Sequence, residues 1–356
     1  MGKEELSVLK IGDYELKVPI VQGGMSVGIS GANLATAVTK CGGAGTIGGV
    51  GRGFGVKEYQ NFSTYEADRL ALKKELEKAK ELDPHGIYGV NLLVAVTDYE
   101  GLVRTAVDNG TKFIVSGAGL PLNLPALTAD HPEIALIPIV SSLKAARIIC
   151  EKWRRGYNRL PDAIIIEEPA TAGGHLGATF KQDIYDSELR LDKVVPEVRK
   201  HFEDNNFKIP IIAAGGIWDR QDIDRVLGYG ASGVQMATRF VCTPECEAPA
   251  EFKQKYIDSK ETIIIRSPVG LLGRAIRTRF LDKVENGEIE DVCSVSCLIS
   301  CDLRDKVKTY CIIQALSNVR NGDVENGVVF AGSNAPRSKE QGIVTVRQIF
   351  NELTDK

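Results

Sequence analysis

The chain has 356 residues, 43% of them hydrophobic and 26% charged, with 36 glycines besides, a composition too apolar for disorder to be its main state. Its 44 basic and 47 acidic side chains leave a net charge of −3. Without a basic surplus, nucleic acid and anionic membrane surfaces are not expected partners, and small molecules are. Residues 1–12 carry charges where a signal peptide needs an apolar stretch, and Leu6 stands where a myristoylation signal wants Ser or Thr. The longest apolar runs, such as Ile134 to Val140, fall far short of the ~20 residues that cross a bilayer. A cytoplasmic location is therefore expected, where eight cysteines are more naturally thiols or ligands than a disulfide framework.

Short strand-like runs alternate with helix-like ones from Val18 to about Cys242. The strand candidates are Val18–Gln22, Gly43–Ile47, Tyr88–Val94, Lys112–Ser116, Ile134–Val140, Asp162–Glu167, Ile209–Ala213 and Gly233–Met236. Most are near-continuous Val, Ile, Leu and Ala, the pattern of parallel strands buried on both faces. Between them, Ser30–Lys40, Tyr65–Leu82, Tyr99–Asn109, Ser141–Arg154, Ser187–Phe202 and Arg220–Gly228 have helical spacing, and Lys73 and Glu77 are placed for a helical salt bridge. Eight βα units predict a closed (β/α)₈ TIM barrel over residues 1–260, with active residues in the loops that follow the strands. Beyond, residues 261–356 form a C-terminal extension: Thr262–Arg266 is β-like, Gly270–Gly273 is glycine-punctuated, and Glu285–Asp305 is charged and cysteine-bearing. This region is expected to cap the barrel mouth and to end in a helix.

The segments Ala213–Ile217 and Gly233–Arg239 lie at strands seven and eight, where barrels commonly hold a phosphate. Gly215 and Gly216 would let backbone N–H groups approach phosphate oxygens closely; otherwise they would merely make a tight turn. Directly after strand six, Glu167–Gly177 brings a titratable imidazole, His175, to the open face behind Gly173 and Gly174. At strand one stand Gly23, Gly24 and Met25, followed by the glycine block 42–49. Gly43, Gly45 and Gly48 satisfy the dinucleotide-binding spacing, but no helix opens from them, so they are expected instead to leave bare backbone facing a flat ring. Asn91, at strand three, could offer such a ring both a donor and an acceptor.

Taken together, Pro19–Met25, Gly42–Gly49, Ala172–Gly177 and Ile209–Phe240 resemble the nitronate monooxygenase (2-nitropropane dioxygenase) family and the related FMN-dependent enoyl-ACP reductase II enzymes. The resemblance implies an FMN-binding barrel, with Gly215, Gly216 and Gln235, Met236, Ala237 and Thr238 at the flavin phosphate. Asn91 would lie nearer the ring system, Gly23, Gly24, Met25 and Gly174 would complete the cofactor set, and His175 would be the active-site histidine. Ala237 departs from the glycine common there, and the lead-in Glu168–Thr171 also differs, so no catalytic role passes to Glu168. The implied activity is oxidation of alkyl nitronates by O₂. An NAD(P)H-dependent reductase of an enoyl thioester or quinone is the alternative, and a flavin-free phosphate barrel or a flavin-binding protein without turnover are more distant ones. An inosine-monophosphate-dehydrogenase-like reading would want a cysteine within Glu167–Gly177, and there is none.

Cys293, Cys297 and Cys301 repeat every four residues, with Cys311 ten further on. On a helix they would line one packed face as buried thiols, and the absence of CxxC pairs argues against zinc or an iron–sulfur cluster, so no metal is expected. Cys242 and Cys246 have the same spacing and receive the same reading.

Overall fold

A computed structural model describes residues 5–178 and 180–354. Residues 1–4, which carry part of the N-terminal reading above, lie outside the described residues. Eight parallel strands, Ile20–Gln22, Gly45–Gly48, Tyr88–Leu93, Phe113–Gly117, Ala135–Val140, Ile164–Glu167, Ile211–Ala214 and Gly233–Met236, follow one another around a (β/α)₈ barrel. The ring closes between the first two strands, where Gln22 N–H donates to Ala44 O (2.8 Å) and Ala44 N–H to Ile20 O (3.0 Å). All eight expected strands are present, most shifted by one or two residues at an end.

Alternation along the strands divides the core. Val21, Val115, Ile137, Ile165 and Ile212 fill the barrel interior, whereas Ile114, Leu136, Ile164, Ile166 and Ile211 face the surrounding helices. A hairpin of Leu9–Ile11 and Tyr14–Leu16, turned at Gly12 (φ +56°), plugs the N-terminal end of the barrel with Leu9, Ile11 and Leu16.

The outer helices start where their sequences cap them. Ser63 and Glu66 form a capping box before Thr64–Leu82, and Asp219 and Asp222 form another before Arg220–Gly228. The Lys73–Glu77 pair is present at 3.8 Å on the exposed face of the first of these. The last helix, Val346–Thr354, returns to pack against Ala32–Thr39 and Arg220–Gly228. Its Phe350 ring lies 6.1 Å from Phe240, so the main apolar core runs unbroken from the barrel through the extension. We therefore propose that residues 261–356 cap the 1–260 barrel without forming a separate folding unit.

Thr262–Arg266 and Leu272–Ile276 make an antiparallel hairpin that also pairs with Val329–Phe330 and with a two-residue strand, Gly174–His175. The extension thus takes hold of the loop after the sixth barrel strand.

Two expectations are corrected. The cysteines do not stack on a helix: between Glu285 and Ile312 the described chain has no helix or strand, Ser296 takes φ +46°, and the segment is tied down by a bridge between Val96 and Leu298. Cys301 is buried and Cys293, Cys297 and Cys311 are partly buried against the main core. Burial first, and the neighbouring Cys311, Cys301 and Cys293 second, push the Cys297 thiol up to about 12. Among the described residues no group of three or more His, Cys, Asp or Glu is arranged to hold a metal ion. From the absence of CxxC pairs in the sequence, protein purified anaerobically without added metal is expected to carry far less than one iron or zinc per chain by elemental analysis; stoichiometric metal, lost when Cys297 and Cys301 are both changed to Ser, would contradict this.

The glycine block is the other correction, because it serves packing and does not face a ring. A Cβ on Gly45 would overlap the Ala35 backbone, one on Gly48 the Met25 carbonyl, and one on Gly43 would meet Ile20 O at 2.7 Å. These glycines let the first helix and the first strand's loop lie directly against strand two.

Candidate active site

At the C-terminal mouth of the barrel lies a cavity of about 520 Å³. It is lined by Gly23, Gly24, Met25, Asn91, Gly174, His175, Gly215, Gly216, Gln235, Met236, Ala237 and Thr238. The chain therefore brings all twelve candidate residues to one space.

The strand ends explain this convergence. Where the interior layer of Val21, Ile165 and Ile212 stops, the next inward positions are Gly23, Glu167 and Ala214. Gln235 and Asn91 occupy inward places on strands eight and three, so together with Glu167 they bring polar side chains to the mouth beside the small Gly23 and Ala214. The Gln235 Oε1 atom is buried without a partner among the described residues, which marks it as an acceptor awaiting a bound donor. Gly24 is needed for clearance: a Cβ there would overlap the Asn91 Cβ and stand 3.0 Å from Thr46 Cγ2.

Gly215 (φ +94°) and Gly216 (φ +68°) adopt backbone that L side chains avoid, and a Cβ on either would press on Thr171 at 3.0 Å. Ala237 has φ −122°, so its methyl costs no left-handed strain, and it stands where Gly23 leaves room, 3.1 Å from that residue's absent Cβ. Gly332 N–H donates to Thr238 Oγ1 at 3.0 Å and brings Ala331, Gly332 and Asn334 to the cavity wall.

The His175 loop is braced from several sides. Buried Arg274 donates to Pro169 O (3.2 Å) and Ala172 O (2.9 Å), and Ser333 N–H donates to Thr171 O (3.0 Å). Glu168 accepts from Thr171 Oγ1 (2.6 Å) and Leu191 N–H (3.2 Å), so it holds the loop and does not line the cavity. The imidazole of His175 bonds Ser267 Oγ through Nε2 at 2.8 Å and lies 5.1 Å from the Phe330 ring. Burial pushes its pKa down to about 4, leaving it uncharged at neutral pH.

Sequence reasoning missed four contributors. Glu167 could have been flagged, since it ends a barrel strand at the catalytic face; Ser267, Phe330 and Gly332 arrive from the extension and carry no local signal. Leu271, Leu316, Val319, Val328 and Phe330, all from the extension, make one wall of the cavity apolar.

Glu167 is a carboxyl that burial pushes up from 4.5 to about 7. Between those values the fold binds a proton that the unfolded chain releases, so stability falls as pH rises through that window. His175, with its lowered value, acts in the opposite sense from pH 6.5 down to about 4. Glu167→Gln is expected to stabilise the protein by about 3 kcal/mol at pH 8 and to give no gain at pH 4, measured by urea unfolding at both. The same difference at the two pH values would show that Glu167 does not titrate this way.

Together, the closed barrel and its mouth cavity, polar at the strand ends and apolar at the cap, define a barrel enzyme with a small-molecule site. The family model for nitronate monooxygenase matches residues 8–356, so the chain belongs to that family and is an oxidoreductase. It is 26% identical over 312 residues to a Staphylococcus aureus (strain Newman) protein described as a probable nitronate monooxygenase, covering 78% of this chain and 80% of that one. It is 28% identical over 271 residues, 76% of this chain, to a Mycobacterium tuberculosis protein described as (3aS,4S,5R,7aS)-5-hydroxy-7a-methyl-1-oxo-octahydro-1H-indene-4-carboxyl-CoA dehydrogenase, and spans 66% of that protein's length. Among solved structures, FabK from Thermotoga maritima matches with a TM-score of 0.72 and 25% identity, covering 96% of this chain and 92% of that one. The nitroalkane oxidase of Streptomyces ansochromogenes, 20% identical with a TM-score of 0.71, shares the fold over 96% of this chain and 95% of its own. No helix among the described residues is long and apolar enough to cross a membrane.

Proposed function

We propose that the protein is an FMN-dependent nitronate monooxygenase that oxidises alkyl nitronates with O₂. The observation that carries this reading is the meeting, in one cavity, of the bare backbone of Gly215 and Gly216 and the adjoining Gln235–Thr238 segment with the uncharged imidazole of His175. The residues fit the cofactor. Left-handed Gly215 and Gly216 allow close backbone approach to a phosphate, and the unpartnered Gln235 Oε1 suits an N–H on a polar ring. Gly23, Gly24, Met25, Asn91 and Gly174 would border that ring. When bound, FMN supplies the two-electron chemistry that links the substrate to O₂.

The protein's own part is positioning. His175, uncharged at neutral pH, holds an oxygen of the substrate by a hydrogen bond; a nitronate has already lost its acidic proton, so no base is required of it. The apolar wall from the extension excludes water and receives the alkyl group. The same wall also suits an acyl chain, and together with the likeness to FabK it supports a second reading, an NAD(P)H-dependent FMN reductase of an enoyl thioester. An oxygen electrode and a nicotinamide absorbance assay on one preparation test the choice. Nitronate-dependent O₂ uptake that outpaces NAD(P)H oxidation with an enoyl thioester is expected, and the reverse order would replace the first reading by the second.

A further inference from the structure

Ser267 is fully buried in the hairpin of the extension, and its hydroxyl has two partners among the described residues. Val269 N–H donates to Oγ at 3.4 Å, and His175 Nε2 lies 2.8 Å away. An amide N–H can only donate, so Oγ is the acceptor there. Among the described residues the hydroxyl proton then has one acceptor in reach, His175 Nε2; were Nε2 to carry a proton itself, a buried O–H would be left without a partner among them.

The backbone fixes this meeting. Gly273 pairs with His175 across the short strand, Leu176 N–H donates to Leu272 O (2.9 Å), and Ser267 N–H donates to Leu271 O (2.9 Å). The neutral imidazole has two tautomers, and the bond made by one nitrogen selects between them. The other nitrogen, Nδ1, has no partner among the described residues, and His175 lines the cavity. We propose that Ser267 is a positioning residue whose hydroxyl donates to Nε2 of His175, holding the ring with its proton on Nδ1 as a hydrogen-bond donor to an oxyanion or carbonyl oxygen in the cavity. The tautomer follows from the fold alone, whereas the identity of the acceptor rests on the function proposed above.

The test is nitrogen-15 NMR of histidine-labelled protein with its cofactor bound. The chain has four histidines, and the His175 signals are assigned by their loss in His175→Gln. The parent protein at pH 7 is expected to show His175 protonated on Nδ1 and bare on Nε2. Ser267→Ala is expected to move the ring toward the Nε2–H form and to lower kcat/KM for pre-formed nitronate roughly tenfold, without changing the bound flavin content. A parent ring protonated on Nε2 overturns the proposal, even if the variant does not fold, and so does an unchanged tautomer in a folded variant. An Nδ1–H ring in a protein that turns over no nitronate would leave the role of Ser267 standing and refute the function; an Nε2–H ring in an active enzyme would do the converse.

Discussion

Gly216→Asp is expected to purify folded and largely colourless. Its backbone sits at φ +68° with Thr171 only 3.0 Å from the position of a new Cβ, so any side chain crowds the loop. The larger effect is charge: two like charges about 4 Å apart repel by about 4 kcal/mol in a partly screened site, enough to weaken FMN about 10³-fold. Gly216→Ala supplies the steric part alone and should retain more flavin. Absorbance of the gel-filtered protein, with circular dichroism as the check on folding, measures both. Full flavin content in Gly216→Asp would place the phosphate elsewhere.

His175→Ala should keep its flavin and lose about 10- to 10²-fold in kcat/KM for pre-formed nitronate, the worth of a hydrogen bond to a charged group. An imidazole whose pKa lies near 4 is a poor base at pH 7, so the neutral nitroalkane should already be a weak substrate of the parent enzyme. Steady-state rates on the two substrate forms, at matched pH, separate the roles. A loss confined to the neutral nitroalkane would make His175 a base after all.

The barrel was legible because its strands are buried on both faces and therefore appear as short apolar runs, as in Ile134–Val140 and Asp162–Glu167. The positions of Gly215 and Gly216 were legible because they follow strand seven, and both occupy backbone that only glycine adopts freely. Periodicity misled where it was read without context. Cysteines at intervals of four satisfy a helix, yet Ser296 at φ +46° breaks any helix through them. Gly45 suggested bare backbone toward a ligand, and the Ala35 backbone occupies that space. The contacts of His175 were beyond sequence reasoning, since Ser267 and Phe330 reach it from 92 and 155 residues away by pairing of the extension's sheet with a two-residue strand.

The central claim, that this cavity couples nitronate oxidation to FMN, is tested most directly by mixing the purified protein anaerobically with an alkyl nitronate, NADH or NADPH in separate cuvettes. The account predicts loss of the yellow flavin absorbance with nitronate, its return on admitting air, and far slower change with either nicotinamide. Rapid bleaching by NADH or NADPH, with nitronate inert, would contradict it and assign the protein to the reductases.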